Sequence, residues 1–190
     1  MFNGVYEPAE DTWLLLKIIN ADLIKGKTLV DVCTGSGVIG IYLVLKNIVS
    51  KAILIDIDDN AVHNAYHNVV EKNISSKAIV LKCDLLSCIG NKSVEVITAN
   101  PPYLPRENRT MFRDVDAGHR GIEILSRIIE QSSEKLKDNG VLYIVFSSLT
   151  GKEEVFSLLR KHGFKVNREV YEHYFFEDII AVEAILSETS

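Results

Sequence analysis

The sequence predicts an α/β fold, a doubly wound and mostly parallel sheet of seven strands whose C-terminal strand runs antiparallel. Three observations predict it. Apolar strand-like runs alternate with helix-period segments along most of the chain, and the last two runs follow one another without a helix between them. A glycine-rich turn, Thr34-Gly35-Ser36-Gly37-Val38-Ile39-Gly40, stands directly between the first run and the helix after it. Acids also close three successive runs, at Asp31, Asp56 and Asp84.

Composition sets the outer bounds. With 190 residues, 47 % hydrophobic and 25 % charged, the chain reads as one soluble domain over 1–190, with a short helical lead-in over 1–26. A net charge of −5 and a pI near 5.6 supply no global basic field, which argues against tight non-specific duplex binding. Cys33, Cys83 and Cys88 form neither a CxxC pair nor a Cys/His cluster, so a reduced compartment without disulfides or metal is expected. Apolar runs fall short of the roughly eighteen residues of a membrane span, and Met1 to Glu10 lacks a basic leader, so a cytoplasmic location is expected.

Taken in order, Pro8, Glu10 and Asp11 suit a first helical turn, and Leu15, Leu16, Ile18 and Ile19 supply a core-facing stripe. Capping alone accounts for Pro8 and Glu10. It accounts less well for Thr12, whose hydroxyl sits where a ligand carboxylate would meet it. Thr28 to Val32 reads as a buried strand, and helical spacing runs from Gly37 through Ile41, Leu43 and Leu45. Glycine at such a strand-to-helix turn admits positive φ and a close ligand. Ala52 to Ile55 is the second strand, Asp59 to Val70 a helix, and Ala78 to Lys82 a third strand leading into Cys83-Asp84-Leu85. A fourth strand, with Val94, Val96 and Ile97, ends at Asn100. A long polar loop from Leu104 to His119 follows, and a helix opens at Arg120-Gly121-Ile122 and closes near Asn139-Gly140. Val141 to Phe146 is a strand, Glu153 to His162 a helix stopped by Gly163, and Phe164 to Tyr174 and Ile179 to Leu186 form a closing hairpin.

Asn100-Pro101-Pro102-Tyr103 is the most informative corner. Proline fixes φ, donates no hydrogen bond and keeps the preceding residue extended, so a stiff elbow should leave the end of the fourth strand. Most proline pairs are rigid turns and nothing more. This one lies at the sheet edge where open α/β folds bind ligands. Asn100 Oδ1 and the Pro101 carbonyl can each accept one hydrogen of a planar NH2 group, with Tyr103 against its flat face. That chemistry suits transfer of a group onto an amide or amino nitrogen.

Gly35-x-Gly37-x-x-Gly40 also matches the dinucleotide fingerprint, so a nicotinamide dehydrogenase has to be weighed. Asp31 stands just ahead of the turn, where a carboxylate repels pyrophosphate and welcomes an ammonium or sulfonium. Asp56 lies nineteen positions beyond Gly37, the reach of a ribose-binding acid, and Asp84 with Leu85 is placed for an adenine. S-adenosylmethionine has all three features. Any one acid is better read as a solvated strand end; three with the turn and the elbow are not.

These residues carry a resemblance. Asp31-Val-Cys-Thr-Gly35-Ser-Gly37, Asp56, Asp84-Leu85 and Asn100-Pro-Pro-Tyr103 resemble the successive motifs of class I, S-adenosylmethionine-dependent methyltransferases, a Rossmann-like family. Val5-Tyr6-Glu7-Pro8-Ala9-Glu10-Asp11-Thr12 is similar to the N-terminal signature of the short HemK-like branch of eukaryotes and archaea, and Ala117-Gly118-His119-Arg120-Gly121 extends the likeness. That branch methylates the glutamine N5 of the Gly-Gly-Gln motif in class I release factors, and lacks the extra N-terminal helical domain of the bacterial enzymes. The resemblance implies cofactor contacts from Thr12, Asp31, Cys33, Gly35, Gly37, Asp56, Ile57, Asp84, Leu85 and Asn100, with Asn100, Pro101 and Tyr103 catalytic. It also implies a small zinc-binding activator on an exposed sheet edge, for which Ile79 to Leu81 is the candidate. Cys33 stands where the family's turn has its first glycine, a departure that bears on cofactor affinity. Alternatives at this stage are an adenine-N6 or guanine-N2 methyltransferase, a lysine methyltransferase, and an idle binding subunit.

Overall fold

The computed structural model describes residues 9–102, 115–174 and 176–188, the side chains of 115–120 excepted. The expected Val5 to Pro8 signature, Tyr103 and the segment from Leu104 to Asp114 lie outside the described residues. Two helices, α1 (Glu10–Ile18) and α2 (Ala21–Ile24), precede β1 (Thr28–Val32). Then come α3 (Val38–Leu45), β2 (Lys51–Asp56), α4 (Asp59–Glu71), β3 (Ala78–Lys82), β4 (Val94–Ala99), α5 (Val115–Lys135) and β5 (Leu136–Ser147). A 3-10 turn (Ser148–Thr150), α6 (Lys152–Lys161), β6 (Phe164–Tyr174) and β7 (Glu177–Leu186) complete the order.

The strands lie side by side as β3-β2-β1-β4-β5-β7-β6. β1 to β5 pair in parallel, and β7 runs antiparallel to both β5 and β6. The antiparallel C-terminal strand is therefore present as expected, set one place in from the edge. Strand order reverses between β1 and β4, the switch point at which such sheets open a crevice.

Alternation along the strands divides the core in two. Val30, Val32, Ile97, Leu142 and Ile144 face α5 and α6, meeting Leu125, Ile128, Val155 and Leu159. Leu29, Leu54, Val96 and Val141 face the other way, against α1, α3 and α4. The register on this second face also aligns a polar row, Asp31 beside Thr98, Thr98 beside Tyr143, and Tyr143 beside Glu183. Buried polar groups persist only when bonded. Tyr143 donates to Glu183 Oε2 at 2.8 Å and Asn167 Nδ2 to Oε1 at 2.6 Å, while the Asn20 amide donates to the Tyr143 oxygen at 3.3 Å and so pins the chain just after α1.

Three expectations need correction. The buried stripe of α1 is Asp11, Thr12, Leu14, Leu15 and Ile18, with Leu16 and Ile19 partly covered against the same core, because positions 11, 14, 15 and 18 fall on one helical face. α5 begins at Val115, not Arg120, and ends at Lys135, not near Gly140. Leu136 is buried and already pairs with Val94, and the Lys92 and Ser93 amides donate to the Glu134 and Lys135 carbonyls, which draws the helix end onto the start of β4. α2 and the 3-10 turn are too short for periodicity to reveal.

Asp31 ties the first strand to its surroundings. It is buried, accepting from Thr34 Oγ1 at 2.6 Å, Thr98 Oγ1 at 2.7 Å and the Gly40 amide at 3.4 Å. Burial pushes its carboxyl up from 3.8 to about 6, the hydrogen bonds from Thr34, Thr98 and Gly40 pulling the other way. A proton held more tightly in the folded chain stabilises it below pH 3.8, and that stabilisation fades as the pH rises to about 6. Wild type should therefore lose up to about 3 kcal/mol relative to Asp31→Asn across that interval in chemical denaturation; a flat difference would contradict the burial argument. Gly40 packs so closely that an added Cβ would overlap Leu54. Gly40→Ala should cost about 1–3 kcal/mol in the same measurement, and a loss under about 0.5 kcal/mol, the range of an uninvolved surface site, would refute the close contact.

Candidate active site

Three strand ends build one wall of the site. After β1 the chain turns through Cys33, Gly35 and Gly37, all at positive φ (56°, 58° and 82°). The Thr34 amide donates to the Ile55 carbonyl at 3.0 Å, lashing the turn to β2. The Gly35 amide donates to Asp56 Oδ2 at 2.9 Å, and the Asp58 amide to Asp56 Oδ1 at 3.0 Å. Asp56 is thus fixed over the turn with each oxygen holding one backbone N–H and keeping acceptor capacity beyond it. An added Cβ at Gly35 would meet nothing within 4 Å, so the turn borders open space rather than packed side chains.

Cys33 reports how the acids converge. Burial pushes its thiol far up, and Asp56, Asp31 and Asp84, in that order, push it further. The three acids of the sequence reading therefore lie close enough to act on one side chain, and Asp56 and Asp84 also line the space beside it. A small hollow lies here, lined by Cys33, Asp56, Ile57, Asp84 and Leu85 with neighbouring residues of the three strand ends. Ile57 is largely exposed, and Leu85 is buried with a φ of 48°. A broader surface hollow lined by Phe156, Arg160 and Lys165 opens where β6 begins, and holds none of the expected site residues.

The elbow forms the second wall. Ala99 pairs with Val32 of β1, so Asn100 and Cys33 leave the sheet side by side. Asn100 is half-buried and donates from Nδ2 to Thr12 Oγ1 at 3.3 Å, while the Thr12 amide is held by Asp11 Oδ1 at 2.7 Å. The carboxamide is thereby turned with Oδ1 as the atom it offers for accepting. Pro101 is buried and Pro102 exposed.

Two expectations take a different form in the structure. Asp31 faces inward onto Thr34, Thr98 and Gly40, so it braces the turn, where the sequence placed it against a ligand ammonium. Asp84 is paired with Arg127 of α5, Nη2 to Oδ2 at 2.7 Å. Neither Arg127 nor Thr98 was singled out by motif. Thr98 becomes visible only through the parallel register of β1 with β4, and Arg127 reads in sequence as one more cation on a polar helix face.

The arrangement disfavours a pyrophosphate, since the Gly35 N–H that a phosphate would need already points at a carboxylate. It suits a nucleoside bearing positive charge beside an acceptor for NH2. Comparison with known proteins agrees. Residues 9–175 match the family described as Methyltransferase small domain. A Methanocaldococcus jannaschii protein named for protein N5-glutamine methylation is 35 % identical over 185 residues, covering 95 % of this chain and 91 % of that one. The eRF1 methyltransferase catalytic subunit of Schizosaccharomyces pombe is 28 % identical, covering 87 % of this chain and 82 % of its own. Among solved structures, the ribosomal protein L11 methylase of Lactobacillus delbrueckii superposes with a TM-score of 0.74 at 19 % identity, over 97 % of this chain and 82 % of that one. The acid-lined glycine turn and the Asn-Pro-Pro elbow are thus found in a chain that belongs to the methyltransferase small domain family.

Proposed function

We propose that the protein is an S-adenosylmethionine-dependent N-methyltransferase acting on a planar side-chain amide, the glutamine of the Gly-Gly-Gln motif of a class I release factor. The observation that carries this reading is the orientation of Asn100, whose Nδ2 is committed to Thr12 so that Oδ1 accepts, next to a hollow lined by Asp56 and Asp84. The M. jannaschii relative, matched over nearly its whole length, is named for the same chemistry.

The residues present fit the cofactor. Space beside Gly35, acceptor capacity left on Asp56 and the joint field of three carboxylates suit ribose hydroxyls and a cation. Asp56 would hold the ribose, Asp84 and Leu85 the adenine, with Ile57 and Cys33 along its edge. Gly35 and Gly37 admit the methionine part, Asp31 holds their turn in shape, and Thr12 orients Asn100. When bound, the cofactor supplies an electrophilic methyl group on a sulfonium.

An amide nitrogen is a poor nucleophile because its lone pair is shared with the carbonyl. Asn100 Oδ1 and the Pro101 carbonyl accept its two N–H groups, fix its plane and raise the electron density on nitrogen, so that catalysis is positioning plus electrostatics. Tyr103, which lies outside the described residues, is the aromatic that the motif assigns to the flat face. The same two acceptors would hold the amide protons; as the N–C bond replaced the C–S bond, the electron pair would stay on sulfur, leaving a neutral thioether, and one amide proton would pass to water.

A partner follows from β3. It is an edge strand, and Ile79 on it is 58 % exposed. An apolar edge invites strand addition, and the S. pombe relative is named as the catalytic subunit of its enzyme. A small zinc-binding activator docked on Ile79 to Leu81 fits both. Among the described residues no helix is long and apolar enough to cross a membrane, and a cytoplasmic site of action accords with a release-factor substrate.

Asn100→Ala should lower methyl transfer to a release factor by at least about a hundredfold while leaving S-adenosylhomocysteine affinity within a few-fold; near-normal turnover would remove the elbow from catalysis. Asp56→Ala should weaken S-adenosylhomocysteine in calorimetry by about one to two orders of magnitude, as loss of hydrogen bonds to a charged group would. Unchanged affinity would deny Asp56 the ribose.

A further inference from the structure

The turn that follows β3 is held from outside by α5, through residues that belong to none of the motifs. α5 lays two side chains on it, one helical turn apart. Arg127 donates from Nη2 to Asp84 Oδ2 at 2.7 Å, and Gln131 Oε1 accepts from the Leu86 amide at 2.8 Å. Leu86 is fully buried, so its N–H needs a partner, and Gln131 is that partner. Between the two anchored residues stands Leu85, at a φ of 48° that a bulky side chain rarely adopts and that persists only where the surroundings enforce it. Leu125, Ile128 and Ile129 of the same helix share the core cluster of Leu85 and Leu86. The turn's own closure, Ser87 amide to Asp84 carbonyl, is 3.2 Å, longer than either contact from α5.

We infer that Arg127 and Gln131 are positioning residues for the nucleobase end of the site, and that Arg127, by fixing which Asp84 oxygen faces the ring, sharpens its preference for an amino group over a carbonyl. The inference rests on the cofactor reading above. With Oδ2 occupied by the guanidinium, Asp84 presents Oδ1 to the ring, and a carboxylate oxygen accepts without donating. It therefore pairs with the exocyclic amino group of adenine and rejects the carbonyl that hypoxanthine carries there. Gln131 holds the Leu85 backbone against the same ring.

Calorimetric titration of the full chain with S-adenosylhomocysteine and with S-inosylhomocysteine tests this. Arg127→Met and Gln131→Met should each weaken S-adenosylhomocysteine by fivefold or more, and Arg127→Met should narrow the preference for it over the inosyl compound at least threefold. Arg127→Lys and Gln131→Glu, which keep the charge and the acceptor, should recover at least half of the wild-type affinity. Since Gln131 serves a buried amide, the exposed Arg127 pair carries the test should Gln131→Met fail to fold. Folded Met variants within twofold of wild type, or an equal loss for both nucleosides that the conservative variants do not mend, would overturn the inference alone. A wild-type chain that binds neither nucleoside would overturn the cofactor reading and the inference with it.

Discussion

The buried carboxylate of Asp31 braces three parts of the chain that the pairing of β1 with β4 brings together. Through Thr34 it closes the glycine turn, through the Gly40 amide it reaches the first turn of α3, and through Thr98 it crosses to β4 two residues before the elbow. A group buried this deeply costs free energy unless its lone pairs are used, and three donors use them. The spacing between the turn that would hold a cofactor and the corner that would hold a substrate is set by the pairing of Val32 with Ala99 and braced by this one side chain. That spacing has to be rigid for a transfer reaction, in which a small misplacement of the reacting atoms costs orders of magnitude in rate.

The same polar row continues along the sheet beneath α1. Tyr143, Glu183 and Asn167 satisfy one another, and the Asn20 amide, just past the helix, is bonded to the Tyr143 oxygen. α1 is thereby fixed at its C-terminal end, while at its N-terminal end Thr12 meets Asn100. The two sheet edges differ in kind. β6 carries Lys165, Arg168, Glu169 and His173 at exposed positions around an exposed Tyr171, a density of charge that discourages pairing, whereas β3 shows Ile79 with Lys82 as its one exposed charge. The lower charge of the β3 edge makes it the better place for a strand-adding partner.

Much of this was legible in the residues. The strands are short apolar runs bounded by turn chemistry, and the candidate ligand groups stand at their C-terminal ends, where topology collects them whatever the details of packing. Asp56 and Asn100 needed only that rule. Asp31 did not yield to it, because its face of β1 depends on the register with β4, and Thr98 lies too far along the chain for spacing to suggest it. α5 misled at both ends for opposite reasons. Gly118 and Gly121 depress helix propensity, yet residues from 115 onward are helical; Leu136 continues the apolar period, yet its burial beside Val94 makes it a strand. Arg127 and Gln131 were invisible because an amphipathic helix offers several polar residues, and only the fold says which two face the turn after β3.

The central claim is that the proline elbow presents an amide nitrogen to a methyl donor seated among the carboxylates. Its most direct test is incubation of the protein with isotope-labelled S-adenosylmethionine and a class I release factor, with and without a candidate zinc-binding activator, followed by mass mapping of the product. The account predicts a single methyl group on the glutamine of the Gly-Gly-Gln motif. Label on a lysine or a nucleobase instead, or no transfer to the release factor under either condition, would contradict it.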